Sequence, residues 1–288
     1  MSTLYIDRQG CELRWRDGAL DVRLPGLPPR TVPAALLQRV VLRADTLLHS
    51  SALAALAEQG VAVTAFGGRG GQRVAHVLGA SHGDCRARVA QCRRLDDDAW
   101  ATDWCRRLVR SRLRGQWRLL ETARTDRADL RKPLGDASAS LERVLHALDD
   151  ADDRSALRGL EGAGAAAFFR GYITLFAPGL GFTARRRRPP PDPVNASLSL
   201  GYTLLHGRAV QACWAAGLDP LVGFLHLPVH GRASLACDLM EPWRAHIEEW
   251  VWGLWRDRVL RAEHFGRDGG AGLPAGQGRP GALLRRGQ

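Results

Sequence analysis

Lysine is almost missing from this 288-residue chain. Lys132 is the only one, although the formal net charge is +11. The basic excess is therefore carried by arginine, whose planar fork grips phosphate oxygens in pairs where lysine offers a point charge. A GC-rich genome would make the same replacement everywhere, so the choice of arginine alone assigns nothing. The net positive charge still calls for a polyanionic partner, and nucleic acid is the commonest. Paired C-x-x-C spacing is absent too. Cys11, Cys85, Cys92, Cys105, Cys213 and Cys237 are scattered, which removes the signature of a zinc ribbon and fits free thiols in a reducing cytoplasm. No run approaches the roughly 20 apolar residues that span a bilayer. The start, Met1-Ser2-Thr3-Leu4-Tyr5, has no basic segment leading into an apolar one, so no secretory signal is expected. The expectation is a cytoplasmic protein with no membrane partner. No internal repeat is visible, and the length suits two ordinary domains.

The first 78 residues read as strands and turns. Leu4–Ile6, Glu12–Trp15 and Leu20–Leu24 alternate with period two, which suits strands with one buried face. Pro25, Pro28 and Pro29 break the pattern. Val40–Leu42 reads as a further strand, Ala52–Gln59 as a short helix ended by Gly60, Val61–Phe66 as a buried strand, a glycine turn at 67–71, and Arg73–Leu78 as the returning strand. After Gly79 the period becomes helical. Arg86–Leu95 and Trp100–Arg124 are amphipathic, with arginine expected on the outer faces and Trp104, Leu108, Leu113, Trp117 and Leu120 on the buried stripe. Leu141–Leu148, Ser155–Phe176, Asn195–Ala216 and Ser234–Trp255 follow, the last kinked or restarted at Pro242. Asp149, Asp150, Asp152 and Asp153 form an acidic turn best read as helix capping. The fold class is α+β, a small β-rich N-terminal domain (1–78) and a larger helical one (84–271). A linker at 79–83 joins them, and a glycine-rich tail (272–288) is expected to be flexible.

Four side chains are candidates for a catalytic divalent metal. Glu161 lies in a helix beside the small residues 162–167, which let another helix approach. His226 follows the apolar Gly223-Phe224-Leu225. Asp238 and Glu241 are three apart and share a helix face. Magnesium and manganese favour oxygen ligands, and manganese also accepts imidazole. Each residue has an ordinary explanation: a buried glutamate paired with arginine, a satisfied core histidine, a solvated helix face. His206 and His230 compete with His226. It is the joint occurrence, in apolar surroundings where unpaired charge is costly, that favours a metal site. The run Arg185-Arg186-Arg187-Arg188, stiffened by the prolines after it, reads as a phosphate clamp or as a solvated basic loop.

Three segments carry a family resemblance. The first is Leu160-Glu161-Gly162 with Ala165-Ala166 and Phe168-Phe169. The second is Arg187-Arg188-Pro189-Pro190, Asp192-Pro193-Val194-Asn195 and Leu200-Gly201-Tyr202-Thr203-Leu204-Leu205. The third is Ala216-Gly217-Leu218-Asp219-Pro220, Gly223-Phe224-Leu225-His226, Arg232, Ser234-Leu235-Ala236 and Asp238-Leu239-Met240-Glu241. With Leu47–Gly71 they span nearly the whole chain to about Gly270. The chain resembles the CRISPR-associated adaptation integrases, metal-dependent DNA endonucleases and the larger of the two universal proteins that insert new spacers. The resemblance implies an all-helical catalytic domain and a homodimer. It also implies assembly with the smaller adaptation protein on double-stranded DNA, both the incoming prespacer and the repeat array. Magnesium or manganese would be held by Glu161, His226 and Glu241, with Asp238 supporting His226. The match departs from the family at Ser197, where leucine is usual, and in the tail, which lacks the usual aromatic and acidic residues. Two other functions are open to the same residues: a stand-alone nuclease of repair or branched DNA, and a DNA-binding homologue without turnover.

Overall fold

The computed structural model describes residues 2–67, 73–77, 84–187 and 189–265. The expected glycine turn at 68–71, the linker at 79–83, Arg188 and the tail from 272 lie outside the described residues. The described residues cluster into two compact units. One holds Met1–Ala87 together with Gln211–Leu218. The other holds Arg88–Val210 and the described chain from Asp219 onward.

The first unit contains two four-stranded sheets and one helix. In one sheet, β1 (Ser2–Ile6) pairs in parallel with β5 (Leu37–Leu42), which pairs in parallel with β7 (Ala62–Gly67), and β8 (Arg73–Val77) closes antiparallel on β7. In the other, β2 (Cys11–Arg16) and β3 (Ala19–Arg23) form a hairpin through Asp17-Gly18, both at positive φ, as a two-residue hairpin turn requires. There β4 (Arg30–Pro33) flanks β3 and β6 (Thr46–Leu48) flanks β2. Leu13, Leu20, Val40 and Val63 pack with Ala52 and Leu56 of α1 (Ser50–Glu58) into one aliphatic core. Sequence reading missed β4 and β6. Both are edge strands of at most four residues, and β4 follows a proline-rich turn.

The second unit is helical. It contains most of α2 (Arg86–Arg93), α3 (Asp98–Asp126), α4 (Arg131–Ala147), α5 (Arg154–Ile173), most of α6 (Pro193–Ala215), α7 (Ser234–Met240) and α8 (Arg244–Arg256). Asp97 caps α3 and Asp153 caps α5, so one of the four aspartates at 149–153 caps a helix as expected, while Asp149 instead pairs with Arg110. Helix α4 begins ten residues before the expected Leu141, because Pro133 sits in its first turn, where a missing N–H costs nothing. The small residues of α5 do admit close neighbours. A side chain at Gly164 would strike Leu113 of α3, and one at Gly171 would strike Ala137 of α4. One expectation for α3 fails. Its buried stripe runs through Cys105, Val109, Leu113, Gln116 and Leu120, and it includes an arginine, Arg112, at 5% exposure. Trp104, Leu108 and Trp117 flank this stripe half-buried.

Among the described residues no helix is long and apolar enough to cross a membrane.

Candidate functional site

Glu161, His226, Asp238 and Glu241 all belong to the helical unit, and they form two linked assemblies. The first is built around Asp238 on α7, which is fully buried. The preceding loop wraps its carboxylate. The backbone N–H groups of Phe224 and Leu225 donate to Oδ2 at 2.7 and 3.0 Å, and that of His226 donates to Oδ1 at 2.9 Å. The imidazole Nδ1–H of His226 donates to the same oxygen at 2.7 Å. A buried carboxylate is tolerable when it collects this many donors. Gly223 makes the wrap possible. A Cβ there would lie 2.6 Å from the carbonyl carbon of Ser234 and 2.8 Å from the carbonyl oxygen of His226. The far side of the loop is tied by Gln91 of α2, whose amide nitrogen donates to the carbonyls of Asp219 and Val222. The motif Gly223-Phe224-Leu225-His226 is thus a carboxylate cradle, and it leaves Nε2 as the nitrogen of His226 open to another partner.

The second assembly joins helices α3, α5 and α8 with the 3-10 turn Glu241–Trp243. Nη1 of Arg112 bonds to Oε1 of Glu161 and, at 2.7 Å, to Oε2 of Glu241. Nε of Arg244 donates to the other oxygen of Glu241 at 2.8 Å. Glu241 is 1% exposed and Glu161 24% in their side chains. Burial pushes the Glu241 carboxyl upward, but Arg112 and Arg244 more than offset it, so the group lies below the ordinary glutamate value. For Arg112 burial pulls downward and the carboxylates of Glu241, Glu161 and Glu248 outweigh it. Pro242 has no N–H to give the Asp238 carbonyl, but that carbonyl is not left free. The N–H of Glu241 donates to the carbonyl of Asp238, so α7 tightens into a 3-10 turn. Behind this pair, Glu248 of α8 is fully buried. Its carboxylate accepts from Tyr202 at 2.6 Å and from Gln116, and burial raises it above the ordinary glutamate value.

Among the described residues no three His, Cys, Asp or Glu side chains already converge as a metal-ligand set. The reason is visible. A guanidinium stands between the two glutamates, which is the ordinary explanation of a buried glutamate noted above. The donor set nonetheless suits a hard divalent cation. Two carboxylates from different helices already enclose a positive group, and the nearby imidazole has its second nitrogen fixed by Asp238.

The arginine run divides. Arg185 turns inward. It donates to Oδ1 of Asn195 at 2.8 Å and to Ser199, and it lies over the Tyr202 ring. Arg186 and Arg187 are exposed. Buried Asn195 also receives the N–H of Arg186 and donates to the carbonyl of Ala184, while Asp192 caps α6 by accepting from the N–H of Asn195. The Asp192-Pro193-Val194-Asn195 segment therefore fixes the backbone of the basic loop. Sequence reading missed Arg112, Arg244 and the Gln116–Tyr202–Glu248 cluster. The available signal was the spacing of Arg112 and Gln116 from Val109 and Leu120 on one helix face.

A β-rich unit and a helical unit carrying this buried carboxylate, histidine and arginine arrangement define the chain as an α+β protein with one polar centre in its helical unit. The profile of CRISPR associated protein Cas1 matches residues 4–280. A CRISPR-associated endonuclease Cas1 of Thermodesulfovibrio yellowstonii is 31% identical over 274 residues, covering 93% of this chain and 84% of that protein. The chain belongs to the Cas1 family, whose curated members here are named CRISPR-associated endonucleases. Its fold is shared with a casposase bound to an integration product (TM-score 0.80, 20% identity, covering 93% of this chain and 77% of that one). It is shared also with the Cas6-RT-Cas1–Cas2 complex (TM-score 0.77, 23% identity, covering 93% and 29%).

Proposed function

We propose that this protein is a divalent-metal-dependent DNA integrase and endonuclease that inserts short duplexes into a CRISPR repeat array. The observation that carries the reading is the pairing of Glu161 and Glu241 around one cationic group beside a histidine locked by Asp238. Membership of the Cas1 family and the shared fold with an integration-product complex support it.

Glu161, His226 and Glu241 would hold magnesium or manganese, which supplies charge neutralisation at a phosphodiester under attack. Asp238 keeps the imidazole in the tautomer with Nε2 unprotonated, and so able to donate an electron pair. Arg244 holds Glu241 in register. Arg186 and Arg187, on a backbone fixed by Asn195, supply sequence-independent phosphate contacts. The reaction is a transesterification. The 3′-hydroxyl oxygen of the incoming strand forms a bond to phosphorus, the bridging bond to the repeat's 3′-oxygen breaks, and the proton passes from the attacking to the departing oxygen. No nucleotide cofactor is required. With water in place of the hydroxyl the same residues would nick DNA. A homodimer working with the smaller adaptation protein on double-stranded DNA is the proposed assembly.

The test is strand transfer of a labelled short duplex into a supercoiled target, with and without the smaller partner, in magnesium or manganese. Glu161→Ala and His226→Ala are each expected to lower transfer by at least roughly a thousandfold, the scale of removing a principal electrostatic element. Full transfer by purified Glu161→Ala protein would overturn the assignment.

A further inference from the structure

Arg112 is the one cation that touches both Glu161 and Glu241 among the described residues, and it arrives from a third helix, α3. Its side chain is 6% exposed, and its Nε is buried with no hydrogen-bond partner. A buried arginine usually spends its donors fully, because each unpaired one costs free energy. Here the guanidinium accepts that cost and keeps Nη1 between two carboxylates. Glu241 is engaged on both oxygens, by Arg112 on Oε2 and Arg244 on Oε1. Glu161 is held by Arg112 and is the more solvent-accessible of the two glutamates. In direct contact, two carboxylates face two guanidiniums and their formal charges balance.

We propose that Arg112 is a positioning residue that serves as a built-in counter-cation. It holds Glu161 and Glu241 apposed before a divalent ion binds, and it gives up Glu161 when the ion arrives. The inference rests on the metal assignment above. The physical consequence is a penalty on metal capture. A divalent ion entering a balanced set leaves it strongly positive, and Arg112 repels that ion across a few ångströms of poorly solvated protein. A unit charge about 5 Å away, at an effective dielectric of about 20, alters binding by well over tenfold. The penalty falls on the metal-bound state and on no other, which separates this role from simple packing.

The experiment is a Mn2+ titration of the full-length protein without DNA, read as loss of the free-ion electron paramagnetic resonance signal. R112Q is expected to bind Mn2+ at least about tenfold more tightly than wild type. R112K keeps the charge and is expected to stay within about threefold of wild type. Equal or weaker Mn2+ binding by R112Q, or equal gains in R112Q and R112K, overturns the proposal. Should R112Q be unfolded without metal, the same titration is followed by far-ultraviolet circular dichroism. Recovery of helix on adding Mn2+ supports the role, and no recovery overturns it. E161Q run in parallel separates the two layers. Unchanged Mn2+ binding in E161Q counts against the metal assignment itself. Glu161-dependent binding with no gain in R112Q counts against Arg112 alone.

Discussion

The two units fill their interiors with different chemistry. The strand-rich unit buries Leu13, Leu20, Val40 and Leu56 completely and, among its described residues, buries one charged side chain, Asp21, which accepts from Thr31. The helical unit buries Arg112, Asp238, Glu241 and Glu248, each at 5% exposure or less, and ties them into networks. Hydrophobic packing tolerates changes that conserve volume and shape, whereas buried charges tolerate almost none, because each lost partner strands another. A fold that needed only stability would not concentrate ionisable groups in this way. The contrast sets the helical unit apart without reference to any motif.

Three experiments would break or sharpen that contrast. The largest effect is expected from Asp238→Ala, which leaves three backbone N–H groups and the His226 Nδ1–H without their acceptor. A loss of about 3–5 kcal/mol in urea unfolding is expected. Leu13→Ala in the strand-rich unit should cost about 2–5 kcal/mol by cavity formation. That cost should be the same at pH 7 and pH 4, since no titrating group is lost. The smallest and most discriminating measurement is the pH dependence of Glu241→Gln. The folded Glu241 carboxyl lies below its ordinary value of 4.5. Its stabilising contribution is therefore full above that value and is lost as pH falls through the depressed folded one. The stability gap between wild type and Glu241→Gln should shrink steadily on acidification, as read by unfolding midpoints at a series of pH values. A gap constant with pH would show that Glu241 acts by packing, and the contrast between the units would weaken.

Much of the fold was readable in the chain because burial on one face imposes a period. The alternation in Glu12–Trp15 and Leu20–Leu24 gave the two strands that pair as a hairpin, and the long periodic stretches gave α3, α5 and α6. Short edge strands and the proline-bearing start of α4 were not readable, since neither has enough residues on one face to set a period. At the site, the acidic and histidine positions stood out as ionisable groups in apolar sequence. Arg112 did not stand out. It sits among Arg106, Arg107, Arg110, Arg114 and Arg118, and only its spacing from Val109 and Leu120 on one helix face set it apart. Nor could the sequence assign Arg185 to Asn195 and Tyr202 rather than to solvent. Ten residues separate Arg185 from Asn195, and the contact depends on how the proline segment folds back.

The loop around Asp238 has a consequence for ion choice. Four hydrogen bonds to the Asp238 carboxylate hold the loop and the His226 ring, so under the proposed metal assignment this arm would be set before an ion binds. Glu161, on the accessible side, is the arm with freedom to adjust. If Glu161, His226 and Glu241 hold the ion as proposed, one fixed arm and one more accessible arm would suit cations of unequal radius, the smaller magnesium and the larger manganese alike.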